Sequence, residues 1–191
     1  MSSPFSAVLL AGGKSSRMGR DKALIELDGE SLWTRQLRIL RELAPNELFF
    51  AGRRRAESCE EDLIFVDDAQ PDSGPLAGLV SAMRRCSSPL LLVLAIDLPL
   101  MTSAYLRSVV TRSSGSAGAV PDHQPLAAVY PRAALAPAER CLAAQQLSMQ
   151  EFARECLEAG LVRQIKVAPA EEYLFTNVNT PDDLRLVSTT R

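Results

Sequence analysis

The sequence predicts an α/β fold, a single domain over residues 1–191 built on a doubly wound, mostly parallel sheet. Three observations carry that prediction. Short apolar runs alternate with amphipathic stretches through most of the chain. One run, Leu90 to Ile96, is apolar without a break, as befits a strand covered on both faces in the middle of a parallel sheet. A glycine pair, Gly12-Gly13, follows the first apolar run directly, at the strand end where such sheets bind ligands.

In chain order, Phe5 to Leu10 reads as the first strand. Beyond the glycine loop, Leu24 to Leu27 and the turn Asp28-Gly29 lead to Ser31, a candidate N-cap. Trp33, Leu37, Leu40 and Ala44 recur at helical spacing, and Pro45 stops that helix. Glu47 to Ala51 is a second strand, and Arg53-Arg54-Arg55 beyond Gly52 reads as a solvated turn. Leu63 to Val66 is a third strand ending in Asp67-Asp68. Asp72 to Gly78 is expected as a turn, with Pro75 near the start of a helix that buries Leu76, Val80 and Met83. After the central strand comes Asp97-Leu98-Pro99, and Thr102 or Ser103 caps a helix to about Arg112. Strands Gly118–Pro121 and Leu126–Tyr130 flank Asp122-His123-Gln124-Pro125. Ala133–Ala144 and Ser148–Ala159 read as helices, Leu161 to Val167 as a late strand, Tyr173 to Phe175 as an extended piece and Pro181 to Val187 as a closing helix.

Composition narrows the function. A net charge of −2 argues against a face built for duplex nucleic acid. Cys59, Cys86, Cys141 and Cys156 lack C-x-x-C spacing and His123 is the only histidine, so reduced thiols are expected rather than structural zinc. No apolar run is long enough to span a bilayer, and the first six residues lack a basic n-region. The expectation is a cytoplasmic protein with neither nucleic-acid nor membrane partners.

The first loop holds the chemistry. Gly12 and Gly13 let the backbone turn and bring N–H groups against a ligand. Lys14, Arg17, Arg20 and Lys22 then set four cations around Asp21, an arrangement suited to a polyphosphate. It is neither common phosphate loop. A Walker A loop would need glycine where Val8 stands, and the dinucleotide fingerprint would need glycine where Lys14 stands. Two acids also end strands, Asp68 after the third and Asp97 after the central one. Charge beside a buried strand is costly unless offset, and Mg²⁺ with its water and phosphate oxygens would offset it. The plainer readings are a helix N-cap for Asp97 and an ordinary turn for Asp68.

Residues 10–22, L-A-G-G-K-S-S-R-M-G-R-D-K, resemble the signature loop of nucleotidyltransferases related to molybdenum cofactor guanylyltransferase. Four further stretches look like motifs of that family, in its order: Gly74-Pro75-Leu76-Ala77-Gly78, Asp97-Leu98-Pro99, Gln124-Pro125-Leu126 and Asn177 to Leu184. The resemblance spans nearly the whole chain. It implies a Rossmann-like nucleotidyltransferase fold and transfer of GMP from GTP to the terminal phosphate of molybdopterin, with release of pyrophosphate. It maps nucleotide binding onto Leu10, Ala11, Gly12, Gly13, Lys22, Asp68 and Asp97, and Mg²⁺ onto Asp97. Lys22, Asp97 and Arg17 are its implied catalytic groups, and Gln124, Pro125, Asn177 and Asn179 face the pterin. Beyond the two substrates, the implied partners are molybdenum-insertion and acceptor molybdoenzymes. The family usually carries a nucleotide-contacting asparagine at the end of its second strand, where this chain has Phe49-Phe50-Ala51-Gly52. Backbone groups around the first loop and the Gly78 turn are then expected to read the base, with Phe50 packing against it or the core. The alternatives are a sister enzyme using CTP on molybdopterin, one using another NTP on a sugar phosphate, and a nucleotide-sensing domain.

Overall fold

A computed structural model of the chain describes residues 3–11, 22–52, 62–67, 73–180, 183–185 and 187. Its frame is one sheet of seven strands in the order β5 (Leu63–Val66), β4 (Leu48–Ala51), β1 (Phe5–Leu10), β6 (Leu90–Ala95), β8 (Ala127–Pro131), β7 (Gly118–Pro121), β9 (Val162–Ile165). Every pairing is parallel except those of β8, which runs against both neighbours. The chain builds outward from β1 to β4 and β5, then crosses back to lay β6 on the other side of β1. The strand order therefore reverses between β1 and β6, the place where open α/β sheets take their ligands.

Alternation along the strands builds two cores. Ala7, Leu9, Leu92 and Leu94 point to the face covered by α1 (Leu32–Arg41) and α3 (Ser103–Arg112). Val8, Leu10, Leu91 and Val93 point to the face covered by α2 (Gly74–Arg85), α4 (Leu135–Ala143) and α5 (Met149–Glu158). Each fully buried leucine among them contributes about 1.5–3 kcal/mol. Covered on both faces, β6 has every residue buried, as its unbroken apolar run predicts.

Local chemistry sets the boundaries. Asp28 and Gly29, at φ 56° and 78°, close a two-residue hairpin between β2 (Glu26–Leu27) and β3 (Glu30–Ser31). Ser31 Oγ accepts the Thr34 N–H at 3.1 Å and starts α1. That helix ends at Arg41, earlier than its apolar stripe suggests, because Ala44 has turned to φ 51° ahead of Pro45. Leu76, Val80 and Met83 are buried on α2 as expected, but the turn expected to run to Gly78 does not extend past Gly74. Gly74 and Pro75 already open that helix, and Gly78 is buried. The piece Tyr173 to Phe175 is not extended. It belongs to a 3₁₀ run, Pro169–Phe175, entered through Pro169 and held by Glu171, which accepts the Ala168 N–H at 3.3 Å. Phe175 packs edge-on against Tyr105, their ring centroids 5.3 Å apart. Residues 183–185 and 187 are helical, and Thr180 Oγ1 accepts the Asp183 N–H at 3.2 Å at their start. Among the described residues, no helix is long and apolar enough to cross a membrane.

At the amino ends of the central strands, Ser6 Oγ donates to Glu47 Oε2 at 2.7 Å and meets Ser88 Oγ at 2.9 Å. Glu47 also accepts the Ser87 N–H at 2.8 Å, so one carboxylate ties together the starts of β1, β4 and β6. The carboxyl ends carry different chemistry.

Candidate active site

At the switch point, Ala11 N–H donates to the Ala51 carbonyl at 2.8 Å, and Ile96 N–H donates to the Leu10 carbonyl at 3.0 Å. The ends of β1, β4 and β6 are thus locked side by side. Gly52 permits the approach: a Cβ there would stand 2.8 Å from the Phe50 ring and 3.1 Å from Ala11 Cβ. Leu10 is buried and Ala11 half-buried where the chain departs into the glycine loop. Asp97 follows Ile96 directly and is half-buried. The helix beyond it is capped by Thr102, whose Oγ1 accepts the Tyr105 N–H at 3.2 Å, so capping α3 is not the role of Asp97.

Two further segments reach the same edge. Because β8 runs backwards, its start lies beside the end of β6, and Ala95 N–H donates to the Leu126 carbonyl at 2.9 Å. Gln124 and Pro125 are therefore neighbours of the Asp97 turn. Pro125 is buried, and its carbonyl accepts the Tyr130 hydroxyl at 3.0 Å. His123 is exposed at φ 56°, with its carbonyl held by Gln150 Nε2 at 2.7 Å. From the C-terminal side, Val178 N–H donates to the Asp97 carbonyl at 3.0 Å. Val178 is fully buried, and Asn177 and Asn179 stand exposed on either side of it.

Of the sequence-predicted residues, Leu10, Ala11, Asp97, Gln124, Pro125, Asn177 and Asn179 thus gather at the carboxyl edge around the switch point. Gly12, Gly13, Arg17 and Asp68 lie outside the described residues, as does the side chain of Lys22, whose backbone opens a 3₁₀ turn, Lys22–Leu24. Asp67, one residue before Asp68, is exposed past the end of β5. Phe50 faces the α1 side of the core, fully buried. Its ring centroid is 4.3 Å from that of Trp33 and 5.5 Å from that of Phe65.

Sequence reasoning overlooked Gln36 and Arg35 on α1. Gln36 Nε2 donates to the Leu98 carbonyl at 2.6 Å and Arg35 Nε to the Pro99 carbonyl at 2.8 Å. The available signal was an amide on the helix face that also carries Leu32 and Leu40. The buried thiols are poor nucleophiles: burial pushes Cys156 up to about 12 and Cys141 up to about 11. Asp97 thus stands beside the end of β1, whose next residues in sequence are rich in glycine and cations.

Open α/β sheets bind their ligands at this edge, and nucleotide-binding proteins are the large class built on that plan. The MobA-like NTP transferase domain family matches residues 7–161, and the chain belongs to that family. A probable molybdenum cofactor guanylyltransferase of Opitutus terrae is 35% identical to it, over 95% of this chain and 93% of the relative. A molybdenum cofactor guanylyltransferase of Pseudomonas putida is 32% identical, over 95% and 96%. Among solved structures, molybdopterin-guanine dinucleotide biosynthesis protein A of Archaeoglobus fulgidus aligns with a TM-score of 0.76 at 25% identity, covering 96% of each chain.

Proposed function

We propose that this nucleotidyltransferase moves GMP from GTP to the terminal phosphate of molybdopterin, with or without molybdenum, as a single domain of the cytoplasm. The carrying observation is the adjacency of Asp97 to the end of β1, through the Ile96–Leu10 hydrogen bond of 3.0 Å. Base and acceptor follow from the names of the relatives.

In the reaction, an ionised oxygen of the acceptor phosphate attacks the α-phosphorus of GTP in line. A new P–O bond forms as the bond to the bridging oxygen breaks, and pyrophosphate leaves with that electron pair. A phosphate monoester already carries a charge of about −1.5 to −2 at neutral pH, so no side chain must remove a proton. Catalysis is then positioning and charge neutralisation. In this reading Leu10, Ala11, Gly12, Gly13 and Lys22 cradle the nucleotide phosphates, Arg17 adds charge over the leaving pyrophosphate, and Asp68 contacts the nucleotide. The first turn of α2, whose N–H groups have no partner within the helix, supplies donors for the base in place of the expected Gly78 turn. Gln124, Pro125, Asn177 and Asn179 face the pterin, and molybdenum-insertion and acceptor molybdoenzymes exchange the cofactor with it.

The donor set suits Mg²⁺. Among the described residues no three His, Cys, Asp or Glu side chains converge, and Asp97 is a single half-buried carboxylate. Mg²⁺ characteristically takes one or two carboxylates and fills its octahedron with water and substrate phosphate. When bound, it would supply charge neutralisation at the phosphates. The test is to mix the protein with GTP, Mg²⁺ and molybdopterin, following pyrophosphate release and dinucleotide formation by mass spectrometry. Equal amounts of both are expected. Nucleotide binding without pyrophosphate would leave a sensor and overturn the reading.

A further inference from the structure

Three successive carbonyls after β6 are each taken by a donor from elsewhere in the chain. Asp97 O accepts the Val178 N–H at 3.0 Å, Leu98 O accepts Gln36 Nε2 at 2.6 Å, and Pro99 O accepts Arg35 Nε at 2.8 Å. Gln36 stands out among these donors. It is fully buried on α1 among Leu32, Leu37, Ile39 and Leu40, and its Oε1 has no partner among the described residues.

Burying a half-satisfied amide is unfavourable, and an apolar side chain of similar length would fill the same space without that cost. The fold has little need of the bond. Leu98 O also accepts the Met101 N–H at 3.1 Å, so it would not be orphaned without Gln36, and α1 is started independently by Ser31. What the amide does achieve is to pin the residue after Asp97 to a rigid helix. The carboxylate extends only a short way from its backbone, so the turn sets where its oxygens can lie. A misplacement of about 1 Å at a reacting site is expensive in rate.

We infer that Gln36, seconded by Arg35, is a positioning residue that holds the Asp97 turn so the carboxylate meets the metal and the nucleotide phosphates. Toward the turn, both side chains donate to backbone carbonyls, those of Leu98 and Pro99. The inference rests on the reading of Asp97 given above.

Gln36→Met keeps the length and apolar fit of the side chain and deletes the donor. Its melting temperature is expected at or above the wild-type value. Calorimetric titration of GTP at graded Mg²⁺ should show the Mg²⁺ requirement rising about 10–100-fold, the range for residues that orient metal-ligating groups. Hydrogen exchange at the Val178 amide, bonded to Asp97 O, should accelerate, while exchange at Leu92 in mid-β6 stays unchanged. Asp97→Asn, run alongside, should lose the Mg²⁺-dependent part of GTP binding. Wild-type Mg²⁺ dependence and Val178 exchange in Gln36→Met, beside a defective Asp97→Asn, would overturn the positioning role and leave the Asp97 reading standing. An Asp97→Asn protein with undiminished Mg²⁺ dependence would overturn both. Should Gln36→Met fail to fold, Arg35→Met removes the adjacent donor from the half-buried side of α1 and is judged on the same two readouts.

Discussion

At the scale of single residues, the site depends on charge placed where the backbone is already held. Asp97 sits between strand ends and a C-terminal segment that all bond to its backbone or its neighbours, so replacing its charge should not disturb the fold. Asp97→Asn is expected to melt like wild type and to lose most turnover, because the anionic metal ligand proposed at this position becomes neutral. Metal titration of activity in the two proteins checks this, and unchanged Mg²⁺ dependence would end the assignment. Lys22 opens a 3₁₀ turn, whereas Lys14 stands earlier in the sequence, directly after the glycine pair. Lys22→Ala should cost about 2–4 kcal/mol of transition-state stabilisation, the scale of a lost oxyanion donor, and Lys14→Ala much less. Equal losses in kcat/KM at the two positions would mean a diffuse basic patch.

At the scale of elements, the two ends of the sheet divide the labour between stability and chemistry. The amino ends of β1, β4 and β6 are tied by Glu47. Burial pushes its carboxyl up, but the donors from Ser6, Ser87 and Ser88 outweigh that and hold it below the ordinary glutamate range. A carboxylate whose folded value is depressed stabilises the protein above its unfolded value, about pH 4.3. That contribution is lost as pH falls through the lower, folded value. Glu47→Gln should therefore be less stable than wild type at pH 7. Its loss of stability on acidification below about pH 4.3 should be shallower. Urea unfolding across that range measures both, and parallel pH curves would show that Glu47 is not the linked group. This variant should leave nucleotide binding untouched, since it lies at the far end of the strands from Asp97.

For the molecule as a whole, the question is which base the site accepts. Phe50 is sealed in an aromatic cluster with Trp33 and Phe65, so its side chain is not at the rim. In the proposed reading, recognition of the base is the task of backbone donors and acceptors, the first turn of α2 among them. A site that pairs a base edge by hydrogen bonds rejects a mismatch strongly, because unpaired buried groups are costly. GTP is expected to support turnover at least ~10-fold better than CTP or ATP, a minimum of about 1.4 kcal/mol of discrimination. Values of kcat/KM for each nucleotide with molybdopterin decide it. CTP matching GTP would overturn the guanylyl assignment and leave nucleotidyl transfer intact.

What the chain determined on its own was much of what local periodicity and turn chemistry carry. The spans of β1, β5 and β7, the cap at Ser31, the α3 cap to within one residue of Thr102, and the burial of β6 were all legible, because each depends on residues close in sequence. The resemblance of residues 10–22 and the four later motifs marked the family for the same reason: they are contiguous. Other features were not written locally. Nothing near Ala127 announces that β8 runs backwards, yet that reversal brings Gln124 and Pro125 beside the Asp97 turn. The 3₁₀ course of Pro169–Phe175 is reinforced by the packing of Phe175 on Tyr105, far away along the chain. Gln36 reads as a misplaced polar residue until packing brings it to the Leu98 carbonyl, 62 positions on. Backbone conformation follows from neighbours in sequence, but the partner of a buried polar group is chosen by how helices and strands pack, and only the tertiary structure decides that.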